Sequence, residues 1–132
     1  MSSLLIKTKK ELIKKLSSVK EPIVIYGAGV SGQVLLLACR KAGVQIASFC
    51  DNNIKKKGNT LNSLEIIHTD DIKNRHPEAI FLISSSDIND INDHLVDYGY
   101  LKTNLHPGGL ILKGFDFSDF KTHYEPYNDE DK

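Results

Sequence analysis

The chain has 132 residues, 40% hydrophobic and 26% charged, which suits one soluble domain with a single core and leaves no room for a separate catalytic domain. Seventeen Lys and Arg offset seventeen Asp and Glu, so no net field points to nucleic acid or an anionic membrane. Two cysteines without CxxC spacing, and no apolar run near the ~18 residues of a membrane helix, predict a reduced, cytoplasmic protein without membrane insertion.

Residues 3–19 place Leu5, Leu12, Ile13 and Leu16 on one helical face and Lys7, Lys9, Lys10, Lys14 and Lys15 around the other. This predicts an N-terminal amphipathic helix within residues 1–20, docked on the domain with a solvated lysine face. A helix lying on a membrane surface is the alternative, but it lacks an aromatic anchor. Leu4-Leu5-Ile6, followed by lysine, is too short for a signal-peptide core. Glu21-Pro22 ends the helix.

Ile23–Tyr26 is a continuous apolar run, as expected of a central parallel strand covered on both faces. It leads into Gly27-Ala28-Gly29-Val30-Ser31-Gly32, a GxGxxG pattern, and then a helix predicted over Gly29–Ala42. Val34, Leu35, Leu37 and Ala38 are available to the core, and Gly43 stands at the usual helix-end position. Val44–Cys50 is predicted as the second strand, followed by Asp51 on a loop with Asn52. Strand, glycine turn, helix, strand and acid in this order form the dinucleotide-binding fingerprint. Gly27 would allow a tight turn, Gly29 the approach of a phosphate, and Gly32 close packing of helix on strand. The amides and dipole at the helix start would face an anion. Asp51 would accept a hydrogen bond from a ribose hydroxyl. The same glycines can also serve the turn alone.

Lys55-Lys56-Lys57 could contact a phosphate, even the 2′-phosphate of NADP in competition with an NAD reading of Asp51, or simply keep an exposed loop soluble. Leu64–His68 is a short strand, and Thr69-Asp70-Asp71 starts a brief helix that stops before Pro77. Ala79–Ile83 is a second buried strand. It runs into Ser84-Ser85-Ser86-Asp87, capping a helix over 88–98 whose Ile88, Ile91 and Leu95 face the core. Ligands of open parallel sheets sit outside the carboxyl ends of strands, where strand order reverses. Gly27–Gly32, Asp51 and Ser84–Ser86 fall at such ends, so the serines are candidate phosphate or ribose contacts as well as caps. Gly99 ends the helix, Lys102–Leu105 is a last short strand, and His106-Pro107-Gly108-Gly109 a turn before Leu110-Ile111-Leu112. From Lys113 onward Phe115, Phe117 and Phe120 alternate with Asp and Ser and are predicted to dock on this domain or on a partner; the acidic end is predicted disordered. The expected organisation is a helix over 1–20, a nucleotide-binding domain over 21–112 and a tail over 113–132.

Most catalytic signatures are missing. His68, His76, His94, His106 and His123 form no metal-ligand spacing, and there is no GxxxxGK[ST] or GxSxG. Tyr98 and Lys102 have the Tyr-x-x-x-Lys spacing of a sugar epimerase, but Gly99 breaks the helix between them. His106, beside the Gly-Gly turn, is the best single candidate for a general base, with a structural role as its alternative. The isolated chain is therefore read as lacking complete catalytic machinery.

The string Pro-Ile-Val-Ile-Tyr-Gly-Ala-Gly-Val-Ser-Gly-Gln, then Phe-Cys-Asp-Asn-Asn-x-Lys-Lys-Lys-Gly, Leu-Glu-Ile-Ile and Ala-Ile-Phe-Leu-Ile-Ser-Ser-Ser, resembles a small Rossmann-like module of bacterial surface-sugar biosynthesis. It is similar to the N-terminal domain of sugar O-acyltransferases and N-acetyltransferases acting on nucleotide sugars. It also resembles modules attached to polysaccharide-biosynthesis dehydratases, FkbM-type methyltransferases and sugar C-methyltransferases. The likeness covers residues 8–112. It implies that Gly27–Gly32 hold a phosphate and that Asp51 contacts a ribose or a uracil, with UDP, a UDP-sugar or NAD(P) as ligand. Two departures stand out: Ser31-Gly32-Gln33 where the acyltransferases carry a His or Lys, and no left-handed β-helix after His106-Pro107, which resembles the junction leading into it.

The expected fold is a single Rossmann-like α/β domain, a doubly wound, mostly parallel sheet of about five strands flanked by helices. The expected function is binding of a nucleotide or nucleotide sugar. The alternatives are a small NAD(P)-linked oxidoreductase or epimerase subunit completed by a protein partner or a second copy, and a degenerate domain used as an interaction module.

Overall fold

The computed structural model describes residues 6–116; Leu5, Phe117, Phe120 and the acidic end lie outside the described residues. In chain order the elements are α1 (Lys9–Ser18), β1 (Ile23–Tyr26), α2 (Val30–Lys41), β2 (Ser48–Asp51), β3 (Thr60–Leu61), β4 (Leu64–His68), α3 (Thr69–Arg75), β5 (Ile80–Ile83), α4 (Ile88–Asp97) and β6 (Leu105–Pro107). Short 3-10 turns occupy Ile54–Lys56, Lys102–Asn104 and Gly108–Leu110.

The strands form one sheet in the order β3-β4-β2-β1-β5-β6. Every pair is parallel except the two-residue β3, which runs antiparallel to β4. The sheet is thus Rossmann-like and doubly wound, with six strands where about five were expected from the apolar runs along the chain. The additional strand is half of a tight hairpin whose turn, Asn62-Ser63, takes positive φ at both residues.

Alternation within strands assigns the two faces. Ile23 and Ile25 pack with Leu12, Leu16, Leu35 and Phe49, whereas Val24 and Tyr26 pack with Ile72, Phe81, Leu95 and Tyr100. α1 and α2 therefore cover one face, and α3 and α4 the other. This explains why β1 and β5 are buried at all four positions. Each fully buried Leu, Ile or Phe contributes about 1.5–3 kcal/mol, so the paired cores outweigh any single turn or cap.

The helix ends follow from local chemistry. α1 begins at Lys9, where Thr8 and Glu11 form a capping box. α2 ends on Gly43, with φ of 79°, where Val44 N–H donates to Cys39 O and Gly43 N–H to Arg40 O. α4 ends the same way on Gly99, with Tyr100 N–H on Leu95 O. Two strands are displaced from their expected positions. β2 is Ser48–Asp51, so Asp51 is its last residue and not part of the loop. β6 is Leu105–Pro107: Leu105 fills the α4 face, and pairing to β5 draws His106 and Pro107 out of the expected turn. Pro107 is tolerated there because β6 is an edge strand. Among the described residues no helix is long and apolar enough to cross a membrane.

Candidate functional site

Strand order reverses between β1 and β5, and the chain leaves both strands at their carboxyl ends through Gly27 and Ser84. These two residues meet. Ser84 N–H donates to Tyr26 O at 3.0 Å, and its Oγ donates to the same oxygen at 2.8 Å. Gly27 takes φ of 107°, and a Cβ there would collide with Ser84 Oγ. Its N–H donates to Cys50 O at 2.7 Å, tying the loop to β2. Gly32 lies against the same loop: a Cβ on it would run into Gly27 O and stand 3.3 Å from Phe49 Cε1. Gly29 differs, because a Cβ there would meet nothing within 4 Å. The three glycines thus serve a turn, an open approach and a close helix contact.

Beyond Gly29 the first turn of α2 presents its amides. Gly29 is the N-cap and offers no side-chain cap, and the first turn carries no acid. The Val30, Ser31 and Gly32 N–H groups have no intrahelical acceptor at this end. Val30 is 54% exposed, unusual for Val but natural at a helix start facing a cleft. α4 makes the contrast: it also lacks a side-chain cap, but Asp87 and Asp90 stand at its start and repel an anion.

Asp51 closes the loop from below. Its Oδ2 accepts from Ala28 N–H at 2.9 Å and its Oδ1 from Asn53 N–H at 2.9 Å. Lys56 Nζ stands 3.9 Å from Oδ2. Asn52, beside it, has its carbonyl 3.2 Å from His68 Nε2.

Two clefts flank this junction. One, of about 470 Å³, lies between the start of α2 and the Gly108–Leu110 turn, and no charged side chain lines it. Val30, Val34, Ile83, Ile88 and Leu112 supply its apolar wall. Gly108 lets its far wall close in, since a Cβ there would collide with Leu35. The other, of about 360 Å³, is polar and contains Tyr26, Asp51, Asn52, Asp87, Asp90 and His94. Ser85 borders both, and its Oγ accepts from Asp87 N–H at 3.1 Å. Ser86 lies on the neutral cleft. A larger concavity, about 920 Å³, opens at the opposite, amino-terminal ends of β1 and β2 beside Pro22, Ile23 and Ala47, away from every residue of the glycine loop.

The expected site residues Gly27, Ala28, Gly29, Val30, Ser31, Gly32, Asp51, Asn52, Ser84, Ser85 and Ser86 therefore gather at one end of the sheet. His106 stands apart and lines neither cleft. It is buried, with Nε2 2.9 Å from Lys15 Nζ on α1, while Lys15 also donates to Thr103 O. Burial, and then the Lys15 charge, hold its pKa down to about 4, so the neutral ring accepts from the ammonium. Burial likewise lowers the Lys15 pKa, against an upward pull from Glu21.

Tyr26, Asp87, Asp90 and His94 were not among the site residues expected from the sequence. The α4 members recur at helical spacing, 87, 90 and 94, which was a signal for one polar face directed at the cleft. Burial raises the Tyr26 pKa, assisted by Cys50 and Asp51, so its phenol stays protonated. Cys39 is pushed up to about 12 by burial and Cys50 is raised by the same cause, so neither is a thiolate nucleophile. Among the described residues no cluster of His, Cys, Asp and Glu could hold a metal ion.

The family model described as C2185-like, N-terminal, matches residues 19–105, from just after α1 to the first residue of β6. No curated protein matches the chain.

Proposed function

The chain belongs to the C2185-like N-terminal family, and we propose that it is a nucleotide- or nucleotide-sugar-binding module whose anchor is a phosphate at the start of α2. The observation that carries this reading is the α2 terminus: uncapped, free of acids in its first turn, and reached past an open Gly29 at the strand-order reversal. Backbone N–H groups and the positive end of a helix dipole at such a crevice favour an anion. The ribose and base extend into the polar cleft beside Asp51 and Asn52, and the group on the distal phosphate enters the neutral cleft. The resemblance of the glycine loop and its flanking strands to surface-sugar modules supports a role in bacterial surface-polysaccharide biosynthesis, in the cytoplasm where nucleotide sugars are made. Catalysis then belongs to a protein partner or a fused domain, and the module supplies affinity.

One observation favours a second reading, a small NAD(P)-linked subunit. The neutral cleft lies within the size range of a ligand pocket and beside β5, where the second half of a dinucleotide would reach.

A thermal-shift panel of UDP, UDP-sugars, NAD, NADP, CoA and S-adenosylmethionine tests both. A ligand present at a hundred times its Kd adds about 2.7 kcal/mol of stability, a shift of several degrees. Stabilisation by UDP or UDP-sugars supports the first reading, and by NAD(P) alone the second. A folded protein that responds to none of them overturns both.

A further inference from the structure

We infer that Asp51 is a positioning residue for the phosphate loop, acting through the backbone, and not the acceptor of a ribose hydroxyl. The inference rests on the phosphate reading of the α2 terminus. Each carboxylate oxygen already holds a backbone donor: Oδ2 takes Ala28 N–H and Oδ1 takes Asn53 N–H, both at 2.9 Å. Ala28 is completely buried, so without Asp51 its N–H would be a donor shut away from water. Gly27 N–H is fixed in turn to Cys50 O, the residue before Asp51. Two successive loop amides, at Gly27 and Ala28, are thereby bolted to the end of β2. That leaves the following amides, from Gly29 into the first turn of α2, aimed at the crevice. A ribose diol seeking Asp51 would have to share both oxygens with bonds that define the loop.

The electrostatics agree. A carboxylate beside an anion site works against binding by direct repulsion, so its presence there calls for another role. Here its charge is met by two N–H donors and by Lys56 Nζ at 3.9 Å, which lets it organise the loop with its own field offset. The consequence for specificity is that Asp51 governs affinity for the phosphate itself, whatever nucleoside is attached.

Isothermal calorimetry with UDP and with inorganic pyrophosphate, which has neither ribose nor base, tests this on the wild type, Asp51→Ala and Asp51→Asn. Asp51→Ala is expected to weaken both ligands by the same factor, on the order of tenfold, the effect of losing one hydrogen bond to a charged group. Hydrogen exchange at the Ala28 amide should accelerate in parallel. Asp51→Asn keeps one acceptor and should recover most of the affinity and of the Ala28 protection. If Asp51→Ala weakens UDP but leaves pyrophosphate unchanged, Asp51 touches the nucleoside and the inference fails, while the phosphate reading stands. If the wild type binds neither ligand, the phosphate reading falls and takes the inference with it. Should Asp51→Ala not fold, Asp51→Asn carries the same test: equal factors on the two ligands sustain the inference, and unequal factors overturn it.

Discussion

Gly32→Ala is the sharpest test of the loop mechanics. An added Cβ would run into Gly27 O, lie 2.9 Å from the Gly27 carbonyl carbon and 3.3 Å from Phe49 Cε1. Neither side can yield cheaply. Gly27 is held by its bond to Cys50 O and by Ser84 against its Cα, and Phe49 is fully buried. Relief therefore requires α2 to move off the sheet, disturbing Leu35, Leu36 and Cys39, all at 1% exposure or less. Such overpacking costs about 1–3 kcal/mol, whereas the gain in helix propensity from Gly to Ala returns at most about 1 kcal/mol. A net loss of ~1–2 kcal/mol, with a denaturant slope of ~1–2 kcal/mol per molar, lowers the urea midpoint by about 1 M. Gly29→Ala is the control: its φ is −101° and its Cβ meets nothing, so only the weaker N-cap preference is lost, less than about 1 kcal/mol. The same methyl stands where a phosphate would approach, so Gly29→Ala should weaken UDP more than it weakens the fold. Equilibrium urea unfolding of both variants decides. A Gly32→Ala protein as stable as wild type, or a Gly29→Ala protein that loses as much, refutes this account.

Three further outcomes are expected. The folded-state pKa of His106 lies at about 4, below the 6.5 of a free histidine, so the unfolded chain binds the extra proton first. Its contribution to stability is therefore complete above pH 6.5 and is lost as pH falls toward 4, and His106→Gln should flatten that part of the stability profile measured by chemical denaturation. Ser84→Ala removes the bond to Tyr26 O and should cost about 1 kcal/mol in the same measurement, while UDP affinity stays within a factor of two to three, about 0.6 kcal/mol; a larger loss would make the hydroxyl a ligand contact. Cys39 and Cys50 should resist a thiol reagent at pH 8 in the native protein and react on unfolding, because burial keeps Cys39 protonated up to about 12 and raises Cys50 likewise. Rapid labelling without unfolding would contradict their burial.

What could be read in the residue order was what local sterics enforce. Gly27, Gly32, Gly43 and Gly99 each mark a place where a Cβ would clash or where φ must be positive, and all four do that work in the structure. The apolar runs of β1 and β5 were equally legible, because a strand covered on both faces has no solvent side to mark with polar residues. β3 was not, since two residues carry no period, and it exists only because β4 offers it an edge. β6 was misplaced for a related reason: its register comes from pairing with β5, not from its own composition.

The site divides along the same line. The sequence alone determined that a glycine loop, an acid and a serine run would meet at the carboxyl ends of parallel strands, because strand order and turn chemistry leave them nowhere else. The tertiary structure decided what each group touches. Asp51 meets Ala28, 23 residues away, and His106 meets Lys15, 91 residues away. α4 turns Asp87, Asp90 and His94 toward one cleft while leaving its neighbour without a charge. Backbone geometry is written residue by residue, whereas a side chain's partner depends on which distant segments the packed sheet brings beside it.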